Sequence, residues 1–215
     1  MVYDLYKFET ILPIFSTILD GHVELNKYLK EIILEHRKEY PQSNVSNVRA
    51  WHSDWHTHIL NPKFKPFCDM VADQCTLVGK NYYGGNYKYD VETMWAMMYE
   101  FGEHTVKHVH FPNTFAASYY IEVGSKSSPI VFENNLIGND PSLTIQPKNG
   151  MLLIWPAFIP HMVLPTESKR MAISLNVSHS KYIPGNKPGQ FVRVDTYGKR
   201  QEENVKLESW RRNDF

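Results

Sequence analysis

Histidines crowd one stretch of this chain: His104, His108 and His110 all fall in the run HTVKHVHFP. Imidazole is a common ligand for iron, zinc and their neighbours, so two on one face suggest a metal. Which pair can act together depends on the element beneath them. In a strand, His108 and His110 share a face with Cα atoms about 6.6 Å apart, and His104 lies about 13 Å from His108. In a helix, His104 and His108 would pair at i, i+4 instead. Thr105 and Val106 favour the strand, and Pro112 blocks helical continuation. The spacing predicts His108 with His110 as the chelating pair. An isolated H-x-H is common, so other residues must strengthen it.

Two candidates lie downstream. His161 follows GMLLIWPAFIP, an apolar strand and a turn, and taken alone it reads as a satisfied core histidine. Arg170 opens the apolar strand MAISLNV. A guanidinium pointing into a core needs an anionic partner, because an unpaired buried charge is strongly destabilising. No acid occupies a neighbouring inward position of that strand. A ligand carboxylate, gripped in bidentate fashion, would answer the need; otherwise the side chain reaches solvent at the strand's start.

The elements that must position these residues change character along the chain. VELNKYLKEIILEHRKEY, from Val23 to Tyr40, places Leu25, Leu29, Ile32, Ile33 and His36 at helical spacing. A second helix is predicted over about 65–82, with Phe67, Met70, Val71, Cys75 and Val78 on one side and Gly84-Gly85-Asn86 closing it. After about Asp90, runs of β-branched and aromatic residues alternate with turn signals. Strands are predicted near 93–101, 104–110, 115–123, 129–133, 142–146, 151–155, 160–164 and 169–178. Eight short strands without intervening helices indicate a sandwich or jelly roll, with the N-terminal helices on its outer face. The chain divides into a helical support region at 1–90, a jelly-roll core at 91–178 and a C-terminal arm at 179–215, within one structural domain.

On these residues the sequence resembles the 2-oxoglutarate- and Fe(II)-dependent dioxygenases. That family carries H-x-(D/E) at a strand end, a distal His about fifty residues on and an Arg about nine further, matched here by His108, His110, His161 and Arg170. The resemblance is to the prolyl-hydroxylase-like branch, whose aromatic pair is matched by Tyr119-Tyr120. Within it, the oxygenases of phages and marine bacteria are similar: HVHFP, AASYYIEV, GMLLIWP and HMVLP correspond in order, and SNVRAWHS resembles an upstream segment. The resemblance implies a double-stranded β-helix, cupin-like, with Fe(II) on His108, His110 and His161. It implies 2-oxoglutarate as cosubstrate, its far carboxylate on Arg170, and O2 as oxidant, with succinate and CO2 released as a substrate is hydroxylated. Tyr120, Tyr99 and Ser174 are the further cosubstrate contacts, each tyrosine having a plain core alternative.

Two departures from the pattern matter. His110 stands where relatives place a carboxylate, so with a dianionic cosubstrate the centre changes from net −1 to 0. His110 is read as a ligand; the alternatives are a group outside the coordination sphere that leaves a position for halide, or Glu103 or Glu122 swinging in against strand parity. Ala172 replaces a serine that some relatives have two residues after the arginine.

WHSDWHTH, with His52, Asp54, His56 and His58, reads as loop packing outside the barrel, with a lid over its mouth as the functional alternative. Lys plus Arg and Asp plus Glu are 23 each, so no global field gathers nucleic acid or an anionic membrane. No apolar run is long enough to span a bilayer, and MVYDLYKFETILPIF does not read as a signal peptide. Cys68 and Cys75 lie about 10 Å apart on a helix, which favours reduced thiols and a cytoplasmic setting. The arm from His179 has eight basic and five acidic residues, 8 − 5 = +3, and reads as solvated or as crossing to a second subunit in a homodimer. Two other functions fit the same residues: a cosubstrate-independent three-histidine dioxygenase of cupin type, or a metal-binding jelly roll without catalysis. The substrate, a small molecule or a peptide, is not encoded in any segment.

Overall fold

A computed structural model describes residues 11–41, 47–83, 87–133 and 142–179, with the backbone of three further strands between 181 and 204. In chain order the elements are β1 (Phe15–Ile18), α1 (His22–Glu39), β2 (Val48–Arg49), β3 (Trp51–His52), α2 (Thr57–Leu60), a 3₁₀ turn (Pro62–Phe64) and α3 (Lys65–Tyr83). Then follow β4 (Tyr89–Tyr99), β5 (His104–His108), β6 (Phe115–Val123), β7 (Ile130–Glu133), β8 (Ser142–Ile145), β9 (Met151–Pro156), β10 (His161–Val163) and β11 (Arg170–His179). β12 (Lys181–Tyr182), β13 (Gln190–Val194) and β14 (Arg200–Asn204) form a separate antiparallel sheet.

The eight predicted strands are β4 to β11, and both predicted helices are present within a residue or so. The larger sheet runs β1-β9-β6-β11-β4-β3 and the smaller β2-β5-β10-β7-β8, every neighbouring pair antiparallel. This is the double-stranded β-helix expected. The first ninety residues add more than helices: β1, β2 and β3 extend the sheets, and β4 begins at Tyr89 rather than near 93.

Period-two patterning separates two cores across the larger sheet. On β11, Met171, Ile173, Leu175 and Val177 face outward with Tyr119 and Ile121 of β6, under Leu29, Ile32 and Ile33 of α1 and Phe67, Val71 and Cys75 of α3. Ala172 of β11, Ala116 and Tyr120 of β6, and Trp95, Met97 and Tyr99 of β4 face inward against Ile130, Phe132 and Val163 of the smaller sheet. The Tyr119-Tyr120 pair is split by this alternation. Tyr119 donates to Asn26 Oδ1 of α1 at 2.6 Å, outside the barrel, and only Tyr120 enters it. Among the described residues no helix is long and apolar enough to cross a membrane. The predicted turns at 84–86 and 138–141 lie outside the described residues, as do arm residues 183–189, 195–199 and 205–215 and any dimer contact made there.

The turn into β9 depends on Gly150, whose φ of 77° lies in the left-handed region. Its N–H donates to Tyr120 O at 2.8 Å and its carbonyl accepts from Leu19 at 3.0 Å, while an added Cβ would collide with the His22 ring. Gly150→Ala combines backbone strain with overpacking, and should cost about 2 kcal/mol or more. A urea midpoint that falls with an unchanged slope is the expected result; an unchanged midpoint contradicts it.

Candidate metal centre

β5 and β10 are antiparallel neighbours, and their register sets His161 opposite His108. His108 closes β5 and His161 opens β10, so both rings emerge at the same end of the smaller sheet. His110 arrives by another route than strand parity, because β5 ends at His108. The chain past it is anchored instead: His110 N–H donates to Ala157 O at 2.7 Å, and its carbonyl accepts from Asn113 N at 3.1 Å and Nδ2 at 2.9 Å. The three rings converge with centroids 4.4 to 4.9 Å apart, and one ligand atom from each lies within 4.8 Å of the others. His104 pairs with Arg49 at the far end of β5 and takes no part.

The tautomers follow from the hydrogen bonds. His108 Nδ1 lies 2.8 Å from Val106 O and His161 Nδ1 3.1 Å from Ile159 O, so each donates Nδ1–H to a carbonyl and turns its Nε2 lone pair inward. His110 Nε2 stands 3.2 Å from His161 Nε2. Two nitrogens bound at about 2.1 Å on adjacent octahedral positions would be about 3.0 Å apart, close to that spacing. The donor set fits a borderline divalent ion such as Fe(II), and it contains no carboxylate. Glu103 accepts from Glu100 N at 2.7 Å and Glu122 pairs with Lys30 at 2.6 Å, so both acids are engaged elsewhere.

Burial keeps these rings neutral. Desolvation lowers the pKa of His108, drives His110 down to about 3 and His161 well below the ordinary value, with mutual repulsion adding to the effect on His110 and His161. Neutral imidazole is the form that binds metal, so protons compete little with a cation near neutral pH.

The triad opens onto a cavity that also receives Arg170, Tyr99 and Ser174. Arg170 is 2% exposed. Its Nη1 donates to Ser128 O at 2.9 Å, its Nη2 lies 3.5 Å from Tyr120 Oη, and its guanidinium sits over the rings of Tyr99 at 5.3 Å and Tyr120 at 4.9 Å. Its Nε has no hydrogen-bond partner among the described residues. None of their carboxylates forms an ion pair with it, and none lines the cavity. Tyr99 turns its hydroxyl to Thr105 Oγ1 at 2.7 Å, presenting its ring rather than its oxygen to Arg170. Ala172 is fully buried below this region and offers no hydroxyl.

The segment WHSDWHTH does not lie outside the barrel. Trp51 and His52 form β3 at the edge of the larger sheet, opposite Met98 and Met97, and the pairing continues through Ser53 N to Ala96 O and Met94 N to Trp55 O. Backbone pairing with β4 overrides the loop-like composition. His52 stacks on Trp95 at 5.6 Å, Trp55 meets the same ring edge-on at 4.6 Å, and all three line the cavity. Trp95, Trp155 and Ser118 are cavity residues that sequence reading did not single out as site residues. Their inward parity with Ser174 was the available signal.

Searches for a matching family model and for a matching curated protein found none. Solved structures do resemble the chain. A prolyl-4-hydroxylase of Pseudomonas putida aligns with a TM-score of 0.60 at 12% identity, covering 79% of this chain and 94% of that one. A prolyl hydroxylase of Trichoplax adhaerens, solved with a hypoxia inducible factor peptide fragment, gives 0.57 at 17% identity over 78% and 83%. The non-heme alpha-ketoglutarate-dependent epimerase SnoN, from nogalamycin biosynthesis, gives 0.57 at 13% over 92% and 91%. At these identities the likeness establishes the fold: a jelly roll of the architecture found in 2-oxoglutarate/Fe(II) oxygenases, here enclosing a three-histidine group.

Histidines outside the triad are also held neutral by burial: His36 is lowered, and His52 and His58 are pushed down to about 4. In the metal-free protein these folded-state values, like those of the triad, lie below the ordinary 6.5. Acid therefore favours the unfolded chain, which takes up protons that the folded one refuses. Stability should be fully present above about pH 6.5 and decline toward pH 4. Chelator-treated protein should show a lower urea midpoint at about pH 5 than at about pH 7.5; an equal or higher midpoint contradicts the assignment.

Proposed function

We propose that this protein is a 2-oxoglutarate- and Fe(II)-dependent oxygenase of hydroxylase type. One observation carries the reading: a triad of inward-turned imidazoles and a buried guanidinium without a carboxylate partner among the described residues share one cavity. Three neutral ligands suit a divalent cation, and Arg170 suits the free carboxylate of a dicarboxylate held beside it. The fold shared with prolyl hydroxylases supports the assignment, and the ordered motifs HVHFP, AASYYIEV, GMLLIWP and HMVLP support the phage and marine-bacterial branch.

His108, His110 and His161 would hold Fe(II). Bound there with 2-oxoglutarate, the ion supplies O2 activation, with succinate and CO2 released and one oxygen atom delivered to a substrate C–H bond. The chain's own part is to bind, orient and exclude water. Val106 O and Ile159 O hold the tautomers of His108 and His161. Arg170 grips the far carboxylate, the Tyr99 and Tyr120 rings fix the guanidinium, and Ser174 offers a hydroxyl along the cavity floor. Trp155 packs edge-on against His161 at 4.9 Å and Phe132 covers the same ring at 5.9 Å, which keeps water from that side. A reducing, cytoplasmic setting is part of the proposal, supported by two buried free thiols that desolvation pushes up to about 12.

Purified protein given Fe(II), 2-oxoglutarate and O2 should release succinate slowly even without substrate. Removing one partner of a buried charge pair costs about 3 kcal/mol, so Arg170→Ala should raise the KM for 2-oxoglutarate about a hundredfold. Absence of succinate, or full activity in Arg170→Ala, overturns the proposal; the second result would favour a dioxygenase that needs no cosubstrate.

A further inference from the structure

Among the described residues, four side chains with hydroxyls line the cavity: Tyr99, Thr105, Ser118 and Ser174. Tyr99 and Thr105 are bound to each other at 2.7 Å. The two serines are not engaged in this way. Neither side chain makes a hydrogen bond to a described residue, and neither oxygen is among the enclosed polar atoms left without a partner. Ser118 is 3% exposed and Ser174 8%, so the little surface they keep is turned to the cavity they line. Interior polar groups are nearly always satisfied, and two adjacent hydroxyls open to a cavity suit a polar group of its ligand.

Strand register makes the serines a pair. Ser174 of β11 is directly opposite Ser118 of β6, so both side chains leave the same face, with Cα atoms about 5 Å apart. On its other side Ser174 is opposite Trp95 of β4, whose ring lies 5.7 Å from that of His110. The pair is therefore level with the triad. The next inward row toward Arg170 holds Ala172 and Tyr120, a two-residue step of about 6.6 Å along β11. The Arg170 guanidinium lies over that Tyr120 ring at 4.9 Å. Between the guanidinium and the serines, Ala172 contributes only a methyl group.

We propose that Ser118 and Ser174 bind the metal-side end of the cosubstrate, donating to the carboxylate of its 2-oxo acid head while Arg170 holds the other end. Each hydroxyl donates one hydrogen bond and a carboxylate accepts several, so two neighbouring hydroxyls suit one anionic group. The placement divides the work. Guanidinium and hydroxyls stand one row apart along β11, so each meets a different end of an extended dicarboxylate. At the metal's end no carboxylate of the described residues lines the cavity, so none repels the head. The inference deepens the oxygenase reading and rests on it.

The test separates the two ends of the acid. Pyruvate carries the same 2-oxo acid head and lacks the far carboxylate. Anaerobic titration of the Fe(II)-loaded protein with each acid, followed by the visible absorption of the chelate, gives both dissociation constants. Ser118→Ala and Ser174→Ala should each raise both constants about tenfold, the worth of a hydrogen bond to a charged group. They should also move the absorption to shorter wavelength, because the lost donors had lowered the energy of the acceptor orbital. Arg170→Ala should weaken 2-oxoglutarate alone. Neither serine variant loses a hydrogen bond to a described residue, so its urea midpoint should not fall. An unmoved absorption, weakening confined to 2-oxoglutarate, or a lowered midpoint overturns the proposal. If pyruvate binds too weakly to titrate, the 2-oxoglutarate absorption decides: a shift supports the proposal and a constant wavelength overturns it. Normal binding to the unaltered protein with indifferent serine variants removes this inference alone; no absorption with either acid removes the oxygenase reading together with it.

Discussion

A guanidinium buried to 2% exposure, without a carboxylate partner among the described residues, is the constraint around which the interior is arranged. An unpaired buried charge of this kind costs about 3–5 kcal/mol when its partner is removed, so the fold must offset it by other means. It does so in part with the Ser128 carbonyl and two aromatic faces, which leave Nε and the bidentate edge without the anion that guanidinium binds best. A single anionic group beside Arg170 would complete its pairing, even before a metal is considered. A divalent ion on three neutral imidazoles would add to that preference, since no acidic side chain among the described residues lines the cavity.

The jelly roll supplies the geometry through alternation. Even-numbered positions of β11 carry Arg170, Ala172, Ser174 and Asn176 inward, and odd-numbered positions carry the apolar residues that seat α1 and α3. One strand therefore presents a guanidinium, a small fully buried step, a hydroxyl and an amide at regular spacing. The smaller sheet brings His108 and His161 into register from the other side, and the turn anchored on Ala157 adds His110. Slipping β11 by one residue would send every polar group into the helix-covered core, so the register is fixed by the same burial that stabilises the fold.

Much of this was legible in the sequence because it depends on local pattern. Turn signals and β-branched runs located the strands, and helical spacing located α1 and α3. Arg170 stood out at the head of an apolar strand, whereas His161 is ordinary alone and gained meaning only beside Arg170 and the H-x-H pair. What escaped depends on long-range pairing. Trp51 and His52 read as a loop because two residues have no period of their own; only Met97 and Met98 opposite them make a strand. His110 was assigned by parity to a strand that ends two residues earlier, and its place is instead set by hydrogen bonds to Ala157 and Asn113. The pairing of Ser118 with Ser174 could not be seen, since the two are joined only by the register of β6 and β11.

On the proposed function, one cavity holds a metal on His108, His110 and His161 and a dicarboxylate on Arg170 at the same time. Chelation of Fe(II) by a 2-oxo acid produces a weak visible charge-transfer absorption that neither component gives alone. Anaerobic addition of Fe(II) and 2-oxoglutarate to the metal-free protein should produce this band at one equivalent per chain, with succinate unable to replace 2-oxoglutarate. A spectrum that shows no band, with Fe(II) and 2-oxoglutarate each at saturating concentration, would contradict the account.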